Sequence, residues 1–200
     1  FGDPTADLGR LLGLLVLFSG AMAGLVLADN LLVLYMFWEA TSITSYLLIG
    51  NAHENRRARA AALHALLVTG LGGLAMFVGF VMIGQSAGTY RLSEILADPP
   101  TGGAVTAGLV LVLVGAASKS AQYPFHSWLP GAMVAPTPVS AYLHSATMVK
   151  AGVYLVARFA PAFAEYDVWR PIVLPVGLVT MVVGGLRALR QHDLKLLLAF

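Results

Sequence analysis

Hydrophobic residues run almost unbroken over 8–28, 31–50, 60–84, 104–130, 138–159 and 171–189, and a seventh apolar run starts at Leu194 and stops with the chain at Phe200. A hydrocarbon core about 30 Å thick is crossed by about 20 helical residues at about 1.5 Å each. The pattern therefore predicts six membrane-crossing helices. The fourth is expected to be interrupted, because Pro124 falls inside it. The first run lacks the basic flank and small-residue cleavage site of a signal peptide, and further spans follow at once. A chain that begins at Phe1 and stops inside an apolar run reads as an excerpt of a longer membrane protein.

Composition agrees with the pattern. The chain is 58% hydrophobic and 11% charged, with a mean hydropathy of +0.79, whereas soluble domains run near 45–50% apolar and about 25% charged. The absence of cysteine excludes disulfides, thiolate metal sites and iron–sulfur ligation. A formal charge of +2 is too small to suggest a nucleic-acid partner. With these spans, Arg10, Arg56, Arg57, Arg59, Arg187, Arg190 and Lys195 fall on one side and Arg91, Arg158 and Arg170 on the other. Lys and Arg resist translocation, so the richer face is expected in the cytoplasm. That makes "NAHENRRARA" a cytoplasmic loop and 85–103, with its "DPP" and "TGG" turn signals, an outer one.

Glu39, His64, Lys119, His144 and Lys150 are the ionisable residues that no loop accommodates. Each costs about 2.5–3.5 kcal/mol mid-helix on insertion scales and so needs protein, water or a partner. Glu39 lies near the middle of its span, with Tyr35, Ser42 and Tyr46 on the same helical face. It reads as a functional carboxylate, or alternatively as one capped by hydroxyls of its own helix. Lys119 is followed by Gln122, Tyr123 and His126, which helical spacing groups on its face, and by Pro124, which clashes with the carbonyl of Ser120 and opens the helix. Freed backbone at that depth is tolerated where it is buried in protein or lines a hydrated cavity, so the break and the charge explain each other.

In the fifth span Ser140, His144, Thr147 and Lys150 advance by four, three and three, a ladder of titratable groups bridged by hydroxyls. His64 has no such neighbours and reads as a satisfied core histidine. Haem ligation would need histidines paired across helices, and His64 and His144 stand single in their spans. No cofactor and no metal are expected, and no flavin, nicotinamide or quinone site is visible. In "TGLGGLAMFVGFVMIG", small residues such as Ala75 and Gly79 are expected to let helices approach closely.

"SKSAQYPFHSWLPGAMVAPTPVSAYLHSATMVKAGVYLVARF", "MFWEATSITSYLLIG" and "LRALRQHDLKLLLAF" together resemble the antiporter-like membrane subunits shared by Mrp-type multisubunit Na⁺/H⁺ antiporters and the proton-pumping arm of respiratory complex I. The resemblance extends over nearly the whole chain. "WLPGAM", "AYLHSATMVKAG" and Lys150 look more like the large A subunit of the antiporter than the complex I homologue, in which "WLPDAM" and a non-basic residue are expected.

The resemblance implies an all-α polytopic bundle. Residues 1–159 would form the first five-helix unit of an inverted repeat and 160–200 the start of its partner, in a bacterial inner membrane among other membrane subunits. It implies that Glu39 and Lys119 form a switchable ion pair and that Lys119, His144 and Lys150 pass protons onward, with H⁺ and Na⁺ or another monovalent cation as cargo. Ser42, Gln122, Tyr123, His126 and Thr147 would support the path. At an effective dielectric near 20, charges about 4 Å apart interact by about 4 kcal/mol, equivalent to roughly three pKa units, enough to gate a proton. A proton pump in a redox complex and a structural membrane scaffold are the other readings.

Overall fold

The computed structural model describes residues 4–52 and 54–200, with side chains described from Leu8 onward. His53, in the expected arginine-rich loop, and residues 1–3 lie outside the described residues. The helices are α1 (Pro4–Leu27), α2 (Leu31–Ile49), α3 (Arg56–Ala87), α4 (Leu92–Ala97), α5 (Gly103–Lys119), α6 (Trp128–Ala132), α7 (Thr137–Ser140), α8 (Lys150–Phe163), α9 (Trp169–Ala188) and α10 (Leu194–Leu198). A 3₁₀ turn (Phe125–Ser127) leads into α6, and a π-helical stretch (Ala141–Thr147) follows α7. Residues 8–27, α2, α3 and α9 are long and apolar enough to cross a membrane, and α5 is a shorter apolar helix. Local chemistry sets the ends. The Asn30 side chain accepts from the amides of Leu32 and Val33, Asn55 caps α3, and Gly88 closes α3 at a φ of +71°.

Two expectations change. The outer loop 85–103 contains α4, because Leu92 and Ile95 turn inward onto the core and are fully buried. The span expected over 138–159 is not one regular helix. The Thr147 hydroxyl donates to the carbonyl of Tyr142, five residues back, at 2.7 Å, and the amide of Met148 reaches Leu143 at the same spacing and distance. A hydroxyl seated on the i−5 carbonyl holds the turn open, which is how the π segment arises.

Helix ends gather at two opposite ends of the bundle. The α1–α2 turn meets the loop after α3, where the Leu31 amide bonds the Tyr90 carbonyl at 2.9 Å and the Leu92 amide that of Asp29 at 2.8 Å. Tyr166, beyond α8, donates to the Pro100 carbonyl at the same end. At the opposite end Lys195 donates to the Ala135 carbonyl.

α3 and α5 pack closely, with glycines on each helix approaching the other's backbone. A Cβ on Gly79 would lie 2.5 Å from the Gly108 carbonyl oxygen, and one on Gly115 2.8 Å from that of Gly72. Pairs seven residues apart on each helix thus form the seam, with Ala75 only half-buried beside it. Leu12, Val16, Leu63, Leu67, Leu71 and Leu74 are exposed on the outside, where lipid tails replace water as the solvent.

The core is divided. One apolar cluster gathers Leu34, Trp38, Met76, Phe80, Leu109, Ala116 and Leu155, and the other gathers Leu48, Ala62, Ala65, Ala121, Trp128 and Leu143. Between them, in chain order along each helix, α2 places Thr41, Ser42 and Ser45, α3 places Thr69, and α5 places Ser118 and Lys119, all buried. A polar layer thus crosses three helices between two apolar ones.

Candidate functional site

Lys119 is the last residue of α5 and is fully buried. Its Nζ donates to the Trp38 carbonyl at 2.7 Å and to Ser42 Oγ at 2.7 Å, and it sits 4.9 Å from the centre of the Trp38 ring. Glu39 follows Trp38 on α2 and is half-buried, and its Oε1 is enclosed with no hydrogen-bond partner. The carboxylate fits because residue 73 is glycine: a Cβ there would collide with Oε1. The structure thus brings Glu39 and Lys119 to one site without closing the ion pair. The ion pairs Arg91–Asp29, Arg91–Glu94 and Arg170–Glu165 are all exposed.

α5 stops at Lys119 by a Schellman closure rather than by the proline itself. The Ala121 amide bonds the Ser118 carbonyl at 3.3 Å, the Gln122 amide bonds that of Ala117 at 2.9 Å, and Ala121 takes a φ of +50°. An alanine in that left-handed region costs about 1–2 kcal/mol, so the surrounding packing fixes it there. The break therefore starts before Pro124, whose peptide bond with Tyr123 is cis. Freed groups find partners: Trp128 Nε1 donates to the Ser118 carbonyl at 3.0 Å, Gln122 Nε2 to that of Ser120 at 3.0 Å, and Ser120 Oγ to that of Val149 at 2.6 Å.

With α5 ended, the shared face expected for Lys119, Gln122, Tyr123 and His126 does not form. Tyr123 is 44% exposed while Lys119 is 0% exposed. Tyr123 instead stacks on His126, whose Nε2 lies 2.7 Å from Arg187 Nη1 of α9. The ladder of the fifth span also divides. His144 is buried, with its ring 5.9 Å from that of Trp128, but Lys150 is exposed at the start of α8. The π segment between them widens the turn and removes the regular register that spacing assumes. Ser140 donates to the Ala135 carbonyl and Thr147 to that of Tyr142, so both hydroxyls serve backbone. His64 is exposed on α3 rather than in the core.

Sequence reasoning misses two participants. Trp128 touches both the end of α5 and His144, and nothing in the spacing of an apolar run marks that. Lys195, which reads as a loop charge, is half-buried with its Nζ 2.6 Å from the Ala135 carbonyl, near enough to His144 to act on it electrostatically. Its position two residues after the N-cap Asp193, heading an apolar helix, is the available signal.

Known proteins share this fold. Over 197 residues the chain is 54% identical to the probable K⁺/H⁺ antiporter A/B subunit of Rhizobium meliloti (strain 1021), covering 96% of this chain and 19% of that protein. Over 201 residues it is 49% identical to the A subunit of the Na⁺/H⁺ antiporter of Bacillus subtilis (strain 168), covering 97% and 25%. The chain thus spans a quarter or less of these relatives. The solved Mrp complex from Dietzia sp. DQ12-45-1b superposes with a TM-score of 0.89 at 45% identity, over 94% of this chain and 21% of that one. Respiratory complex I from Thermus thermophilus superposes with a TM-score of 0.81 at 28% identity, over 98% and 42%. The fold is an all-α, multi-pass membrane bundle, as the apolar runs predict. Residues 28–200 match the family model described as NADH:quinone oxidoreductase/Mrp antiporter, transmembrane, and the chain belongs to that family.

Proposed function

We propose that this chain belongs to the proton-translocating A subunit of a multisubunit monovalent cation/proton antiporter in a bacterial inner membrane. Identities of 54%, 49% and 45% to antiporter proteins, against 28% to complex I, favour this reading over a redox pump. The relatives' names point to Na⁺ or K⁺ as the exchanged ion. Such a subunit is a transporter rather than an enzyme and works among other membrane subunits. Residues 1–159 would form its first five-helix unit and 160–200 would open the second.

The observation that carries the reading is Lys119, buried in a polar layer and hydrogen-bonded to the helix that bears Glu39. A proton moves when this pair makes and breaks. With Lys119 against the carboxylate, attraction of about 4 kcal/mol favours the charged ammonium. When they separate, the ammonium is easier to deprotonate, and the proton passes toward His144 and Lys150 through mobile side chains or water. Exchange driven by a pH gradient in vesicles carrying the full antiporter tests this. Glu39→Ala and Lys119→Ala should each abolish exchange while the complex still assembles, and full activity in either would sink the proposal.

A further inference from the structure

A protonated lysine has three N–H donors and no acceptor. At Lys119 two of them are met by the Trp38 carbonyl and Ser42 Oγ, both at 2.7 Å, and the Trp38 ring face lies 4.9 Å from Nζ. Ser42 is suited to receive the lysine, because its own hydroxyl points back to the Trp38 carbonyl at 3.3 Å and leaves a lone pair turned outward. All three groups are uncharged, and Ser42 and Trp38 are buried. Ser42 lies one turn from Glu39, whose Oε1 is enclosed and without a partner. One cation therefore has two berths on a single helix: a neutral one that it fills and a charged one that stands open beside it.

We propose that Ser42 is a positioning residue which, with the carbonyl and indole of Trp38, forms an uncharged seat that competes with Glu39 for the Lys119 ammonium. This rests on the proton-translocation reading above. The seat makes separation from Glu39 tolerable at a depth where a lone ammonium is not, so the pair can open without exposing Lys119 to lipid. Other charges do not intrude. α3 faces the site with Gly72 and Gly73, α8 meets the end of α5 with Gly152, and among the described residues Glu39 is the charge that acts on Lys119.

Removing the hydroxyl should tip the balance toward Glu39. Ser42→Ala in the full antiporter, assayed as cation-driven proton movement in everted vesicles, should shift the pH–activity profile to lower pH by up to about one unit, because the protonated form loses a charge-assisted hydrogen bond and keeps Glu39 alone. Ser42→Thr, which keeps the hydroxyl, should restore the parent profile. A profile unchanged or shifted to higher pH in Ser42→Ala would overturn the proposal, since a hydroxyl that seats the ammonium favours the protonated form. Lys119→Ala, run alongside, separates the two claims. If it is inactive while Ser42→Ala is unshifted, the seat fails and the translocation reading stands; if it is active, that reading fails.

Discussion

Trp128 Nε1 donates to the Ser118 carbonyl at 3.0 Å, one residue before Lys119. The indole is fully buried, and its ring also meets His144 at 5.9 Å. It therefore holds the end of α5 with its N–H and meets a neighbouring titratable group edge to face. Trp128→Phe keeps an aromatic ring and loses the donor, which should lower stability by about 1 kcal/mol. Trp128→Ala also empties the second apolar cluster and should cost about 3–5 kcal/mol. Denaturation midpoints of the purified complex give both values, and equal effects of the two variants would contradict the assigned hydrogen bond.

Gly73 and Gly79 lie on the same helix and should fail differently. A Cβ at Gly73 presses on Glu39 Oε1, whereas one at Gly79 meets the Gly108 carbonyl oxygen across the α3–α5 seam at 2.5 Å. Gly73→Ala should therefore cut exchange sharply while assembly persists, since the carboxylate can swing away. Gly79→Ala must push the two helix backbones apart and should destabilise by about 1–3 kcal/mol. Exchange rate per assembled complex, measured beside the denaturation midpoint, separates the two. Loss of stability in Gly73→Ala comparable to that in Gly79→Ala would show that the Glu39 contact is not the distinguishing one.

Outside the spans, a polar clasp joins the α1–α2 turn to α4. The Ser93 hydroxyl and amide donate to the two Asp29 oxygens at 2.7 and 2.9 Å, and Thr89 and Arg91 donate to Glu94 at 2.7 and 3.3 Å. The Ser93 hydroxyl holds the Asp29 carboxyl below its ordinary 3.8, and the Thr89 hydroxyl, then Arg91, hold Glu94 below its ordinary 4.5. For a depressed carboxyl the stabilisation is present above the unfolded value and is lost as pH falls through the folded one. Asp29→Asn should therefore lower the unfolding midpoint at pH 6 and make progressively less difference below about pH 4. A difference that persists unchanged to about pH 2.5 would show that ionisation of Asp29 is not what fastens the clasp.

Four helices long and apolar enough to cross a membrane, and the place of Glu39 within α2, are legible in the apolar runs, and the interruption after Lys119 is legible in Pro124. What regular periodicity cannot encode is not. Ala121 adopts a left-handed turn with no glycine to advertise it, so the chain alone points to Pro124 as the end of α5. Thr147 seats its hydroxyl on an i−5 carbonyl, and that one contact disrupts the register that would line up Ser140, His144, Thr147 and Lys150. Trp128 reaches back ten residues to Ser118 and Lys195 sixty to Ala135, relations that only the folded chain displays. Glu39 and Lys119 do meet at one site, but the berth on Ser42 and Trp38 depends on rotamers, which no spacing rule supplies.

The central claim is that Glu39 and Lys119 act as a working pair rather than as a structural remnant. Replacing a buried pair together by apolar residues is often neutral for stability, so the double variant Glu39→Leu/Lys119→Leu removes the chemistry while sparing the fold. In vesicles carrying the full antiporter, a working pair requires that the double variant assemble and show no pH-gradient-driven cation exchange. Exchange at the parental rate in that double variant would contradict it.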